Sequence, residues 1–209
     1  MTVDMNFGPE AWRNAFFTGE WQAAGNTLTV AEPATGEPLV EVGLANARDV
    51  AAAAERASDA QREWAEMPFL DRAAVFRRAA AILERRTDEF VGWIVRETGA
   101  IPPKAMFEIS SVINHMHESA ALLTQPKGIL LPYAGDGLSI ARRIPLGVVG
   151  VISPFNFPLL LSSRAVTPAL ACGNAVVLKP DPRTPVVGGF LLAEVMDEAG
   201  LPAGVLCVL

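Results

Sequence analysis

Cysteine, histidine and tyrosine are nearly missing from this chain, whose 209 residues hold two Cys, two His and one Tyr. Cys172 and Cys207 form no C-x-x-C pair, which excludes a disulfide framework and the usual zinc spacings. His115 and His117 stand two apart in a helical stretch, point to different faces and suit packing or surface roles rather than a shared metal. No G-x-G-x-x-G and no G-x-x-x-x-G-K-[ST] occurs, so two common phosphate-cradling loops are absent. Basic runs are lacking too. With 17 Lys+Arg against 23 Asp+Glu the formal net charge is −6, and nucleic acid is not expected as a partner. The apolar stretches 146–161 and 165–178 are broken by Pro154, Asn156, Pro158, Pro168, Gly173 and Asn174, short of the ~18 uninterrupted residues of a spanning helix. The first ten residues carry Asp4 where a secretory signal places a basic region, and no apolar core follows it. A cytoplasmic protein without a membrane partner is expected.

What is abundant is core material: 51% of the residues are hydrophobic and 19% charged, which excludes disorder for most of the chain. Pro33-Ala-Thr-Gly36 is a turn signal between β-prone stretches at 27–30 and 39–42. Asn46 with Asp49 three residues on forms a capping pair. The helix it starts runs to about Glu66, with Val50, Ala53, Ala54, Ala57, Gln61 and Trp64 inward. A second helix is expected over 71–86 with Ala74, Val75, Ala79, Ile82 and Leu83 inward and its arginines outward. Thr87 is expected to cap a third helix that stops at Gly99, and Pro102-Pro103 to open a fourth that ends near Gln125. Trp64, Phe69, Phe76, Phe90 and Trp93 read as core rather than a base-stacking platform.

After Gln125 the period changes from helical to alternating. Residues 128–131 and 138–144 flank Ala134-Gly-Asp-Gly137, a hairpin with Arg142 and Arg143 exposed. Runs at 148–152, 175–178 and 205–209 alternate with helical segments at 159–171 and 186–199, which predicts a βαβαβ unit on a parallel sheet with all three strands buried. Ligands of such sheets bind beyond the carboxyl ends of the strands. After the first strand, Ser153-Pro-Phe-Asn-Phe-Pro158 presents Asn156 on a loop stiffened by two prolines. Its amide can donate to a negative group or close an Asx turn on its own backbone. After the second strand, Lys179 and Asp181 can grip sugar hydroxyls or form a solvated pair. Cys172, at a helix-to-strand joint, reads as a small buried hydrophobe rather than a nucleophile.

These residues, taken in order, resemble the N-terminal half of the aldehyde dehydrogenase superfamily. The matching stretches include Pro33-Ala-Thr-Gly-Glu-Pro38, Arg96-Glu-Thr-Gly99, Pro145-Leu-Gly-Val-Val-Gly150, Pro154-Phe-Asn-Phe-Pro158, Gly173-Asn-Ala-Val-Val-Leu-Lys-Pro180 and Glu198-Ala-Gly-Leu-Pro-Ala-Gly-Val205. Residues 92–104, 141–143 and 179–184 are most similar to bacterial benzaldehyde dehydrogenases. The resemblance implies an α/β fold: an incomplete, Rossmann-like cofactor domain with an N-terminal hairpin and helices at 1–127, an oligomerisation hairpin at 128–146 and the first βαβαβ at 147–209. It implies aldehyde oxidation to the acid through a cysteine thiohemiacetal and thioester, with a nicotinamide cofactor as hydride acceptor. Asn156 matches the oxyanion-binding asparagine. Ile152, Ser153, Pro154 and Phe155 match positions along the cofactor cleft, Lys179 matches the lysine on the adenosine ribose, and Phe157 matches a substrate-tunnel aromatic suited to an aryl aldehyde. Homodimers or homotetramers are implied for the full-length protein.

Two departures from the family pattern stand out. Many NAD-preferring members carry glutamate three residues after the lysine, where this chain has Pro182 and offers Asp181 instead. A carboxylate there can accept from a ribose 2′-OH and repels a 2′-phosphate, so NAD is expected, with NADP admitted. The sequence also stops at Leu209, before the family's Gly-rich turn, glutamate and nucleophilic cysteine. Residues 1–209 alone are therefore expected to be inactive, and to expose an apolar edge at the third strand. The alternative is a non-catalytic binding or assembly module derived from the same family.

Overall fold

The computed structural model describes residues 9–209; the acidic start weighed above against a signal sequence lies outside the described residues. A one-turn helix α1 (Pro9–Trp12) leads to the short strands β1 (Ala15–Phe17) and β2 (Trp21–Ala23). The expected hairpin follows as β3 (Asn26–Ala31) and β4 (Pro38–Leu44), paired antiparallel. Helix α2 (Ala47–Glu66) begins at the expected capping box: Asn46 accepts from Arg48 N at 2.8 Å, and Asp49 accepts from Asn46 N at 2.7 Å. Helices α3 (Phe69–Arg85), α4 (Thr87–Thr98) and α5 (Pro102–Leu122) complete the N-terminal helical segment. Gly99 ends α4 at φ 69°, a left-handed conformation that disfavours a Cβ.

Among the described residues the hairpin β5 (Gly128–Leu131) and β6 (Ser139–Arg142) forms a separate two-stranded sheet. Beyond it come β7 (Val148–Ile152), α6 (Pro158–Ala171), β8 (Ala175–Lys179), a π-helical turn (Val186–Phe190) running into α7 (Leu191–Glu198), and β9 (Leu206–Val208). Strands β7, β8 and β9 are parallel, in the order β2-β1-β9-β8-β7. Alternation sorts the side chains of β8 and β9 onto two faces. Ala175 and Cys207 meet Ala53 and Ala57 of α2 on one face, while Val176, Leu178, Leu206 and Val208 join the main core on the other. Gly189 allows the second packing, because a Cβ there would come within 2.5 Å of Val208 Cγ1.

Several expectations are corrected. Strand β7 is not buried: Ile152 is 81% exposed and only Val151 is enclosed, because β7 is an edge strand. The third strand, conversely, has no open edge. β1 pairs antiparallel with β9, setting Phe17 opposite Val208, so the free apolar edge lies on the β7 side. Val50 and Phe69 are exposed rather than inward, at the rim of their helices. Not every arginine of α3 points outward: Arg72 is buried, and its Nη1 donates to the Trp64 and Ala65 carbonyls that end α2. Thr87 makes no cap for α4. Its hydroxyl turns back to the Leu83 and Glu84 carbonyls of α3. Cys172 is exposed, not buried, since it follows the last turn of α6 at the surface.

Candidate active site

Both loops singled out in the sequence leave the sheet from neighbouring parallel strands, at Ile152 and Lys179, which stand opposite each other. The ladder extends one step further, with Ser153 N donating to the Lys179 carbonyl at 3.1 Å, and then the chains diverge. Such a divergence at strand carboxyl ends opens a crevice. Ser153 is buried, with its Oγ 2.8 Å from Ser162 Oγ, which is 2.6 Å from the Gly188 carbonyl. A carbonyl can only accept, so Ser162 donates to Gly188 and receives the Ser153 proton. This relay ties the first loop to α6 and to the π-helical turn behind the second loop.

Beyond Ser153 the chain surfaces: Pro154, Phe155 and Asn156 are exposed and Phe157 is half-buried. Among the described residues none hydrogen-bonds the Asn156 side chain, so the Asx-turn alternative is not adopted and the amide stands free. Phe157 precedes Pro158 at the start of α6 and is fixed from α5, edge-on to Phe107 with ring centres 6.4 Å apart and under the Lys104 ammonium at 4.5 Å.

On the second loop Lys179 is exposed, and Asp181 and Arg183 form a fork: Nε–Oδ1 is 2.7 Å and Nη2–Oδ2 is 2.8 Å. The Arg183 hydrogen bonds, aided by Lys179 nearby, hold the Asp181 carboxyl down at about 2. The Arg183 guanidinium carbon lies 3.5 Å from the centre of the Phe155 ring, joining the two loops across the crevice. Both Asp181 oxygens already serve Arg183, so a ribose hydroxyl would share an occupied carboxylate. Pro182 is exposed beside them and donates nothing. A cleft of about 610 Å³ bounded by Phe155, Pro182, Arg183 and Glu97 adjoins the loops.

Arg183, Glu97 and Glu108 were not singled out by sequence reasoning. Glu108 is fully buried on α5 and accepts the amides of Leu159 at 2.8 Å and Leu160 at 3.2 Å, the first turn of α6. It also accepts from Lys104 Nζ at 2.7 Å. Glu97, buried on α4, accepts the amides of Val186 at 2.9 Å and Val187 at 2.7 Å, where the π-helical turn begins. Burial pushes its carboxyl up to about 8 while the two amides pull it back. One carboxylate thus caps the helical segment after each loop. Their signal was available: Glu97 falls on the stripe of Phe90 and Ile94, and Glu108 on that of Ala105, Ile109 and Val112, as acids at apolar positions.

The chemistry at this end of the sheet suits a dinucleotide, which presents apolar rings and sugar hydroxyls. Apolar Ile152 and the Phe155 ring lie exposed at the sheet's carboxyl end, as does the Lys179 ammonium, whose charge acts on Asp181. A mixed α/β sheet whose parallel strands β7, β8 and β9 send paired loops out at this end defines a class, and the sequence assigns it: residues 21–209 match the aldehyde dehydrogenase family, to which the chain belongs. It is 54% identical over 201 residues to a vanillin dehydrogenase of Amycolatopsis sp., covering 96% of this chain and 41% of that protein. Against the benzaldehyde dehydrogenase [NAD(+)] of Pseudomonas putida the identity is 48% over 200 residues, with 95% and 41% covered. An NAD-dependent benzaldehyde dehydrogenase structure from Corynebacterium glutamicum superposes with a TM-score of 0.89 at 41% identity, over 94% of this chain and 44% of that one. The chain therefore spans about two fifths of the length of these relatives, and the incomplete α/β fold expected from sequence is what the match covers. Among the described residues no helix is long and apolar enough to cross a membrane.

Proposed function

We propose that the complete protein oxidises an aryl aldehyde to its carboxylic acid with NAD, NADP being admitted, and that residues 1–209 supply the oxyanion donor and much of the cofactor surface. The observation that carries this reading is the free, exposed Asn156 amide beside the Phe157 ring at the end of β7. Asn156 Nδ2 donates to the aldehyde oxygen as negative charge builds on it. A donor held in place before reaction contributes ~2.7–4 kcal/mol to the transition state. Phe157, fixed by Phe107 and Lys104, offers a face or edge to an aromatic ring. Lys179 donates to ribose hydroxyls, while Ile152, Ser153, Pro154, Phe155 and Pro182 line the approach and exclude water. The cofactor, when bound, accepts the hydride.

The attacking thiolate comes from outside these residues. Cys207 lies buried against the Ala53 carbonyl, and burial pushes its thiol up to about 11. Cys172 ends α6, whose 14 residues at 1.5 Å each set it about 21 Å from the Asn156 end. The division into 1–127, 128–146 and 147–209, with the middle hairpin as the oligomer contact, belongs to the same proposal. Its support is the exposure of Ile129, Leu130, Leu138 and Ile140 on a hairpin that, among the described residues, pairs with no other strand.

The test is NADH formation by the full-length protein and by its Asn156→Ala variant, with benzaldehyde and vanillin as probes. Turnover by the parent and a loss of ~10²–10³ in kcat in the variant are expected, with dinucleotide affinity unchanged. A variant within a few-fold of the parent would remove Asn156 from the chemistry. A full-length protein that binds NAD without turnover would favour the binding or assembly module.

A further inference from the structure

Lys179, Asp181 and Arg183 are the charged residues of the crevice loops 153–158 and 179–184, and they do not face a ligand equally. The Arg183 side chain is 62% exposed, whereas that of Asp181 is 17% exposed. Lys179 is exposed as well. A ligand approaching the crevice therefore meets both cations before it meets the carboxylate. Glu97, which bounds the adjoining cleft, adds no negative charge near neutral pH, because burial pushes its carboxyl up to about 8.

The carboxylate is also occupied. Asp181 Oδ1 accepts from Arg183 Nε at 2.7 Å and from the Arg183 backbone N–H at 3.0 Å, and Oδ2 accepts from Nη2 at 2.8 Å. These bonds direct the negative charge of Asp181 at a single neighbour. The guanidinium is not exhausted in return. The fork takes Nε and one Nη2 hydrogen, and leaves Nη1 with no hydrogen-bond partner among the described residues. The central carbon of the guanidinium lies over the Phe155 ring, 3.5 Å from its centre, which fixes the head group while the side chain stays largely exposed.

We infer that Arg183, together with Lys179, receives the phosphate that NADP carries on its adenosine 2′-oxygen, so that this site takes NAD and NADP alike. The inference rests on the reading of this crevice as the dinucleotide site. A phosphate monoester brings ~1.5–2 negative charges near neutral pH. An arginine near the ribose is a general means of accommodating it, because guanidinium N–H groups pair with phosphate oxygens in a fixed geometry. Asp181, which as a free carboxylate would repel that phosphate, is answered by the fork. With NAD the same guanidinium stays on Asp181, and Lys179 serves the ribose hydroxyls. Pro182 adds neither a charge nor a donor, so it opposes neither cofactor.

The experiment measures the dissociation constants of NAD and NADP for the full-length protein and its variants by titration calorimetry at low and high salt. In the parent the two constants are expected to lie within ~10-fold of each other, with that of NADP rising more steeply with salt because of its extra charges. Arg183→Ala removes the phosphate partner and uncovers the carboxylate. NADP should weaken by at least ~10-fold, the size of a hydrogen bond to a charged group, against ~2–5-fold for NAD. Asp181→Asn removes the repelling charge and frees the guanidinium, so NADP should tighten while NAD holds within about 3-fold. In Arg183→Ala/Asp181→Asn part of the NADP loss should return. A parent that separates the two cofactors by more than ~10-fold would overturn the inference, as would an Arg183→Ala variant that weakens both equally. A parent that binds neither would instead remove the reading of the crevice as a dinucleotide site, and the inference with it.

Discussion

The guanidinium carbon of Arg183 lies 3.5 Å from the centre of the Phe155 ring, so a residue that follows β8 holds one that follows β7. The same guanidinium forks onto Asp181, which makes the three residues a bridge across the crevice. An exposed cation–π contact is a weak tie. Arg183→Ala is therefore expected to weaken dinucleotide affinity about 2–5-fold, with kcat changed less, measured by titration of NAD into the full-length protein. The Asp181 carboxyl should rise from about 2 toward the usual carboxylate range, observable by NMR titration.

Glu108 acts on the first loop from behind. It receives two amides of α6 and the Lys104 ammonium, and Lys104 in turn sits over Phe157. Glu108→Gln keeps the shape but turns an NH₂ toward one of these donors, at a cost of ~1–3 kcal/mol. The expected outcome is a lower melting temperature together with a kcat loss of up to ~10², because the Asn156 loop loses the anchor of its following helix. Lys104→Met leaves the two amide bonds in place and should affect stability less. A kcat equal to the parent's in Glu108→Gln would show that the cap stabilises without positioning.

The parts of this fold readable in advance were those with a local cause. The capping box at Asn46, the left-handed stop at Gly99 and the apolar runs of β8 and β9 each announce themselves within a few residues. Strand β1 does not: three residues carry no period, and its partner β9 lies at the other end of the described chain. The exposure of β7 follows from its place at the sheet's edge, which composition does not encode. Attention falls on Asn156 and Lys179 because they follow strand ends, where ligands of such sheets bind. Glu97 and Glu108 were missed because an acid in an apolar stripe was passed over, although burial of a carboxylate always requires donors.

Glu97 makes stability depend on pH in a stated direction. Its carboxyl titrates at about 8 in the folded chain against 4.5 for the ordinary group. The folded state therefore holds the proton more tightly than the unfolded one between these values. The corresponding stabilisation is complete below about pH 4.5 and is lost as pH rises through about 8. Within that window the slope reaches at most ~1.4 kcal/mol per pH unit, the value for one proton. Urea unfolding at several pH values should show a decline that Glu97→Gln, which cannot ionise, flattens. An unchanged slope in the variant would assign the decline to other groups.

The hairpin offers the last test, because its apolar side chains stand exposed among the described residues. Leu130 is 70% exposed and Ile140 53%, and they face each other in the β5–β6 register. Side chains of this size left in water cost roughly 1.5–3 kcal/mol each relative to burial, so a second subunit covering them gains substantially. Placing a charge at each position reverses the sign: a desolvated carboxylate without a partner opposes association. Leu130→Glu/Ile140→Glu in the full-length protein is expected to shift the mass in light scattering to a smaller oligomer or monomer. The melting of the 9–127 and 147–209 core should change little, because the hairpin contributes nothing to the main cluster of buried side chains. An unaltered mass would place the oligomer contact elsewhere.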